Sequence, residues 1–232
     1  ITCYGVLSAN AAGITIGGDL TGAGTFNAST GTTTLSGNLG ISTFNDNNGT
    51  LVLDTSTLIA FPYTFHIVQI TGTLNLNNRS IIAELDITGA GTLTAAASET
   101  VNVGRNFTVT TFNESTSSVV FDTTNVASVG AHTFNDLTLS KGAGGNITFT
   151  DDLSVTNTMT GNAGAYNVSI TGGTNTISDD VDFNNTGTVT LGDNGDTTTF
   201  TGGLNTSVSP SGTNIGGTVQ TTNTQMDLGA VT

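Results

Sequence analysis

Groups able to move a proton or hold an anion are scarce in this chain. Arg79, Arg105 and Lys141 are its only cations, and His66 and His132 its only imidazoles. Asp151-Asp152 and Asp179-Asp180 are paired carboxylates, but neighbours along a strand point to opposite faces. Acid–base chemistry on an anionic sugar needs carboxylates grouped with Arg, Lys or His. No His-Gly or Arg-x-Lys sequence accompanies either pair, so a non-catalytic protein is expected. His66 and His132 sit beside or inside a recurring strand phrase and read as strand residues. Two distant His are a poor start for a metal site. Calcium fits better: Gly192-Asp193-Asn194-Gly195-Asp196 places the Asp193 and Asp196 carboxylates among carbonyl oxygens in a tight turn. The opposing reading is a solvated turn, and Asp46-Asn47-Asn48-Gly49 misses the EF-hand spacing.

Other side chains suggest modification or display. Asn-x-Ser/Thr acceptors occur at Asn27, Asn48, Asn78, Asn106, Asn113, Asn146, Asn167, Asn184 and Asn205, about as often as the composition alone would give them. Glycosylation there would be a modification rather than a function. Cys3 is the only cysteine, so an intrachain disulfide is impossible. It reads as a plain thiol or as a link between subunits. Hydroxyl ladders that order water have candidates in Thr32-Thr33-Thr34, Thr108-Val109-Thr110, Thr148-Phe149-Thr150, Thr188-Val189-Thr190 and Thr197-Thr198-Thr199. Their irregular sequence spacing does not indicate a flat in-register face, and the opposing reading is a polar strand face.

The composition says what surrounds these residues. With 3 basic against 17 acidic residues, the formal net charge is −14. Nucleic acid is excluded as a partner, because few cations exist to release counterions from phosphates. An anionic membrane surface would repel the chain, and no apolar run reaches the roughly 20 residues of a membrane span. A type IV pilin is disfavoured, since no long apolar N-terminal helix is present. Only 9% of residues are charged, against about 25% in ordinary domains. No signal-peptide pattern is visible; Ile1 reads as a mature or trimmed start, and extracellular residence is an expectation from composition.

Alternation with period two is pervasive. Leu74-Asn75-Leu76, Leu137-Thr138-Leu139, Leu153-Ser154-Val155, Val168-Ser169-Ile170 and Val189-Thr190-Leu191 each put two apolar side chains on one face. Gly, Asn and Asp clusters punctuate them as turns. Ala95 to Thr100 is the best helical window, and it is too short to stand alone. One phrase recurs: Thr25-Phe26-Asn27, Thr43-Phe44-Asn45, Thr111-Phe112-Asn113 and Thr133-Phe134-Asn135, with Thr64-Phe65-His66 and Asp182-Phe183-Asn184 as degenerate copies. A repeat near 20 residues predicts an all-β fold, a parallel β-helix or β-solenoid of roughly a dozen coils. Phe26, Phe44, Phe112 and Phe134 would then form an internal aromatic stack. Two β-sandwich domains are the alternative.

The run Phe134-Asn135-Asp136-Leu137-Thr138-Leu139, followed by Gly144-Gly145-Asn146-Ile147-Thr148-Phe149-Thr150-Asp151-Asp152-Leu153-Ser154-Val155 and Ala165 to Gly173, resembles the β-strand repeats of microbial adhesins and autotransporter-like surface proteins. The resemblance is clearest over residues 130 to 205, weaker over 11 to 125, and rhythmic rather than catalytic. It implies an extracellular solenoid used for structure, attachment or display, and carries no active-site residues. Parallel β-helices acting on acidic polysaccharides share the rhythm.

The expected organisation is a solenoid over 1–208, with a candidate seam at Phe61-Pro62-Tyr63, where proline removes a ladder donor. Residues 209–232 are expected to be a cap, a linker or a strand lent to a neighbour. The leading functional expectation is an extracellular structural or adhesive protein that polymerises with its own copies, by exchanging either Val6 to Leu20 or the tail after Pro210. Surface glycans are a further expected partner. The alternatives are a carbohydrate-binding or degenerate polysaccharide-active β-helix and an ice-binding solenoid. A glycan groove would need exposed aromatics, for which only Tyr4, Tyr63 and Tyr166 are available, Trp being absent.

Overall fold

A computed structural model describes residues 1–9 and 13–232. Their regular structure is all β: parallel strands about 20 residues apart stack into a β-solenoid of about 11 coils. The sandwich alternative is set aside, because the strand pairings among the described residues are parallel. Contacts divide the chain into two units, Ile1–Val103 with Thr108–Ser117, and Gly104–Phe107 with Ser118–Thr232.

In the first unit the strands Gly13–Ile16, Thr32–Leu35, Thr50–Leu53 and Ile67–Ile70 pair in series. Their register stacks Ile16 on Leu35, Leu53 and Ile70. All four are buried, and the residues between them face outward. Val6–Ser8, Leu20–Asn27 and Leu39–Asn45 form a separate sheet. Its outer edge is a side-chain ladder: Asn45 Nδ2 donates to Asn27 Oδ1 at 2.7 Å, and Asn27 Nδ2 to Ser8 Oγ at 3.1 Å. Corners use asparagine in the left-handed region, at Asn47-Asn48 and Asn77-Asn78, where its short polar side chain is tolerated. The amides of Asn47 and Asn77 also reach back to the carbonyls of Ala28 and Leu58.

The second unit repeats three strands per coil. One series runs Ala127–Val129, Asn146–Phe149, Asn167–Ile170, Thr188–Leu191 and Gly212–Ile215; a second runs His132–Phe134, Leu153–Val155, Thr174–Ile177, Thr197–Phe200 and Thr218–Thr221. The third is Ser118–Phe121, Asp136–Leu139, Met159–Gly164, Asp180–Asn185, Gly203–Asn205 and Met226–Asp227. Within residues 209–232, expected as cap, linker or exchanged strand, Gly212–Ile215 pairs parallel with Thr188–Leu191, and Thr218–Thr221 with Thr197–Phe200. At the candidate seam of 61–63, within the first unit, Phe61 and Pro62 are exposed and precede strand Tyr63–Phe65. The exchangeable segment Val6 to Leu20 includes residues 10–12, which lie outside the described residues. On either side of them, Val6–Ser8 pairs with Thr25–Asn27, and Gly13–Ile16 with Thr32–Leu35, as ordinary rungs.

The phenylalanine phrase falls on strands of more than one sheet. Phe26 and Phe44 are register partners with centroids 5.4 Å apart, and Phe65 continues them at 5.4 Å from Phe44. Phe112 is buried in strand Phe107–Asn113. Phe134 is followed in register by Val155, Ile177 and Phe200. The reason is a longer internal duplication. Leu20–Asn27 (LTGAGTFN) reappears as Ile87–Thr94 (ITGAGTLT) with the same burial pattern, and Leu39–Asn45 reappears as Phe107–Asn113. The copies enter a different sheet from their originals. Ile87 stacks on Val68, Leu51 and Thr33, not on the Leu20–Leu39 column. The residues between copies therefore do not make a whole number of coils.

Both copies keep the same glycine. Gly22 and Gly89 have φ of 118° and 122°, and a Cβ on Gly89 would lie 2.2 Å from the Ile70 carbonyl oxygen. Backbone that close to backbone has no side chain to move aside. Gly89→Ala should lower stability by about 3 kcal/mol or more, read as a shift of the denaturant midpoint. An unchanged midpoint would mean that the corner relaxes freely.

Candidate functional site

The scarce titratable groups are mostly built into the walls of the solenoid. His132 is buried, with its ring 4.9 Å from Phe107 and 6.0 Å from Phe134. Desolvation pushes its pKa down to about 4, against an upward pull from Asp151. Lys141 is 1% exposed; its Nζ donates to the Gly104 carbonyl at 2.8 Å and lies 5.8 Å from the centre of the Phe121 ring. Burial lowers its pKa to about 8, opposed by Asp122. Gly104 also accepts the Thr123 hydroxyl, so one carbonyl ties three successive corners together.

His66 and Arg79 are only partly buried. His66 Nδ1 meets Glu84 Oε2 at 3.2 Å on the surface, and Arg79 donates to the carbonyl of its neighbour Asn78. The acidic pairs serve corners. Asp152 Oδ1 accepts the Thr174 N–H at 2.9 Å, and Asp179 Oδ1 accepts the Asp180 N–H at 2.9 Å.

Asp193 is exposed and Asp196 half-buried. Asp196 Oδ2 accepts the Asp193 N–H at 2.9 Å, which closes the corner through its own backbone. Among the described residues no three His, Cys, Asp or Glu side chains gather as metal ligands. Cys3, considered as an intersubunit link, is buried, with Sγ 3.2 Å from the Gly5 carbonyl oxygen; a disulfide to another chain would require that end to open.

The glycosylation acceptors all lie at or near the surface. Asn48, Asn78, Asn113, Asn167 and Asn184 are exposed, and Asn27, Asn106, Asn146 and Asn205 half-buried. Several have their amide committed to the neighbouring coil: Asn113 to Thr94 Oγ1 at 3.2 Å, Asn167 to Asn146 Oδ1 at 2.8 Å and Asn205 to Asp182 Oδ1 at 2.9 Å. Of the tyrosines, only Tyr4 is open, at 82% exposure. Tyr63 and Tyr166 are buried, with hydroxyls donating to backbone carbonyls; burial pushes Tyr63 up to about 12 and raises Tyr166 further.

Two surface features assembled by register escaped the sequence reading. One is a shallow groove of about 200 Å³ on the Asp180–Asn185, Gly203–Asn205 and Met226–Asp227 strands, lined by Asp180, Asp182, Leu204, Asn205, Gln225 and Asp227. The other is a hydroxyl face on the Leu153–Val155, Thr174–Ile177, Thr197–Phe200 and Thr218–Thr221 strands. Thr174, Thr197 and Thr218 form one column there, and Ser154, Thr176, Thr199 and Gln220 the next. Irregular spacing in sequence hid this alignment, because corners of unequal length separate strands that pair in register. The fold places the chain in the class of parallel β-solenoid repeat proteins. Beyond that class, no family model, curated protein or solved structure matches it. No helix among the described residues is long and apolar enough to cross a membrane.

The two buried bases make stability depend on pH. Unfolded His132 would bind a proton below about 6.5, whereas the folded group resists until about 4. Stability is therefore lost as pH falls from 6.5 to 4, by roughly 3 kcal/mol. Lys141 releases its proton earlier in the folded state, so stability should rise between pH 8 and 10.5 by a similar amount. Urea titrations at pH 4, 7 and 10 on the parent, His132→Leu and Lys141→Met proteins check both. A variant whose pH dependence equals the parent's would place that group outside the interior.

Proposed function

We propose that the chain is a non-catalytic structural or adhesive part of an extracellular protein, a solenoid scaffold that associates with its own copies. The observation that carries this reading is that successive coils are joined twice. Backbone ladders hold each strand to the next, and short polar side chains repeat the linkage on the outer faces: Asn45 to Asn27, Asn167 to Asn146, Asn214 to Thr190 and Gln220 to Thr199. Each such bond contributes about 1 kcal/mol net, and the linkage is spread over many coils. That suits a body that carries load or displays a surface. Self-association belongs to the same reading, because a parallel ladder accepts any strand of matching register. Low charge helps: stacked copies meet few like charges. The adhesin and autotransporter-like resemblance supports surface location.

A second reading, glycan binding, is favoured by the groove at Asp182, Asn205 and Asp227, where carboxylates and amides face solvent. Such groups hydrogen-bond sugar hydroxyls well.

Sedimentation velocity over a hundredfold concentration range, with a glycan-binding titration alongside, separates the two readings. Growth of the weight-average sedimentation coefficient with concentration is expected from the scaffold reading. A concentration-independent monomer that binds a soluble oligosaccharide would replace it with the second. Release of reducing sugar from a polysaccharide would overturn the non-catalytic assignment.

A further inference from the structure

We propose that the outer face of the Leu153–Val155, Thr174–Ile177, Thr197–Phe200 and Thr218–Thr221 sheet is a water-ordering surface whose solid partner is ice. The scaffold reading neither requires nor supplies this.

The face is a lattice of hydroxyls. Thr174, Thr197 and Thr218 are register partners in one column. Ser154, Thr176 and Thr199 stack in a second, closed by Gln220. Thr156, Ser178 and Thr201 follow at the strand ends, where the N–H of Ser178 donates to the Val155 carbonyl and that of Thr201 to the Ile177 carbonyl. Nine positions on this face therefore carry Ser or Thr, and the exposed Asp152, whose Oδ1 accepts the Thr174 N–H, marks a charged edge one rung before Thr174. Rungs repeat at about 4.8 Å, and alternate residues along a strand at about 6.6 Å. Two fixed translations of that kind define a surface net.

Three further features favour water as the occupant. Thr174, Thr176, Ser178, Thr201 and Thr218 are exposed, with Thr197 and Thr199 half-exposed, so the hydroxyls face solvent. Threonine is stiff at χ1, so its methyl and hydroxyl hold their positions. The backing is rigid: Val155, Ile177 and Phe200 are buried, and buried Asn175 donates to Thr198 Oγ1 at 3.2 Å and accepts the Leu153 N–H at 3.0 Å. Over the Thr174–Ile177, Thr197–Phe200 and Thr218–Thr221 strands the face is uncharged, which matches a neutral lattice of donors and acceptors; Asp152 bounds that area at its first coil. Of the other outward faces of this unit, one carries Asp180, Asp182 and Asp227; the other has a single hydroxyl column, Ser128, Thr148, Ser169 and Thr190, of which the last three are half-buried, beside the Asn146–Asn167 ladder.

The test uses the whole chain. Thermal hysteresis and partition of fluorescently labelled protein into a slowly grown ice hemisphere are measured for the parent, for Thr176→Lys with Thr199→Lys, and for Thr148→Lys with Thr190→Lys on another face. Circular dichroism and melting confirm folding of each. The parent and the second variant should enter the ice and give hysteresis, and the first should fall to the level of an inert control protein. Exclusion of the parent from ice overturns the assignment, as does full retention by the first variant. Binding of the parent to crystalline cellulose or chitin without entry into ice overturns it in favour of a solid polysaccharide.

Discussion

The parallel in-register ladder between coils sets the terms for everything else in this protein. Each residue stands directly above its counterpart one coil earlier, at about 4.8 Å. A charge would face a charge, so ionic side chains are few on the faces, where Asp182 and Asp227 are separated by Asn205, and the faces fill with Thr, Ser and Asn, which bond to their own kind. The composition is thus a product of the fold. Its net charge of −14 comes from few residues, and pairs such as Asp151-Asp152 and Asp179-Asp180 hold corner amides.

The same constraint explains the interior polar groups. His132 occupies a slot that the column would fill with an apolar side chain, opposite Leu153, and Lys141 is buried just past the end of strand Asp136–Leu139. Each is held by local chemistry, Lys141 through the Gly104 carbonyl and His132 among the rings of Phe107 and Phe134. Both are placed for structure, and both leave the fold sensitive to proton concentration. Asn175 is a further interior polar group, with its amide and its oxygen both used inside the wall.

Strand identity was legible in the sequence, because apolar alternation survives in every coil; Val168-Ser169-Ile170 and Val189-Thr190-Leu191 are stacked as their pattern implies. The parallel coil was legible from the near-20-residue rhythm. Register was not. Thr174 and Thr197 are partners although their separation along the chain differs from that of Ser154 and Thr176 one coil earlier, and nothing in a linear reading aligns them. The duplication behind the phenylalanine phrase was hidden for a related reason. Phe44 and Phe112 share a motif but occupy different sheets, because the motif belongs to a duplicated segment longer than one coil. The groove at Asp182, Asn205 and Asp227 likewise joins residues that look unrelated until the ladder sets them side by side. The burial of Lys141 has no signal in its neighbours, which are small residues such as Ser140 and Gly142.

The duplication of Leu20–Asn27 as Ile87–Thr94 bears on how such a chain can lengthen. An inserted block that is not commensurate with the helical pitch preserves every local contact rule, yet advances the azimuth of whatever it carries. Growth by copying would then spread a motif around the circumference. A decorated side arises only where later insertions and deletions in the loops restore the phase.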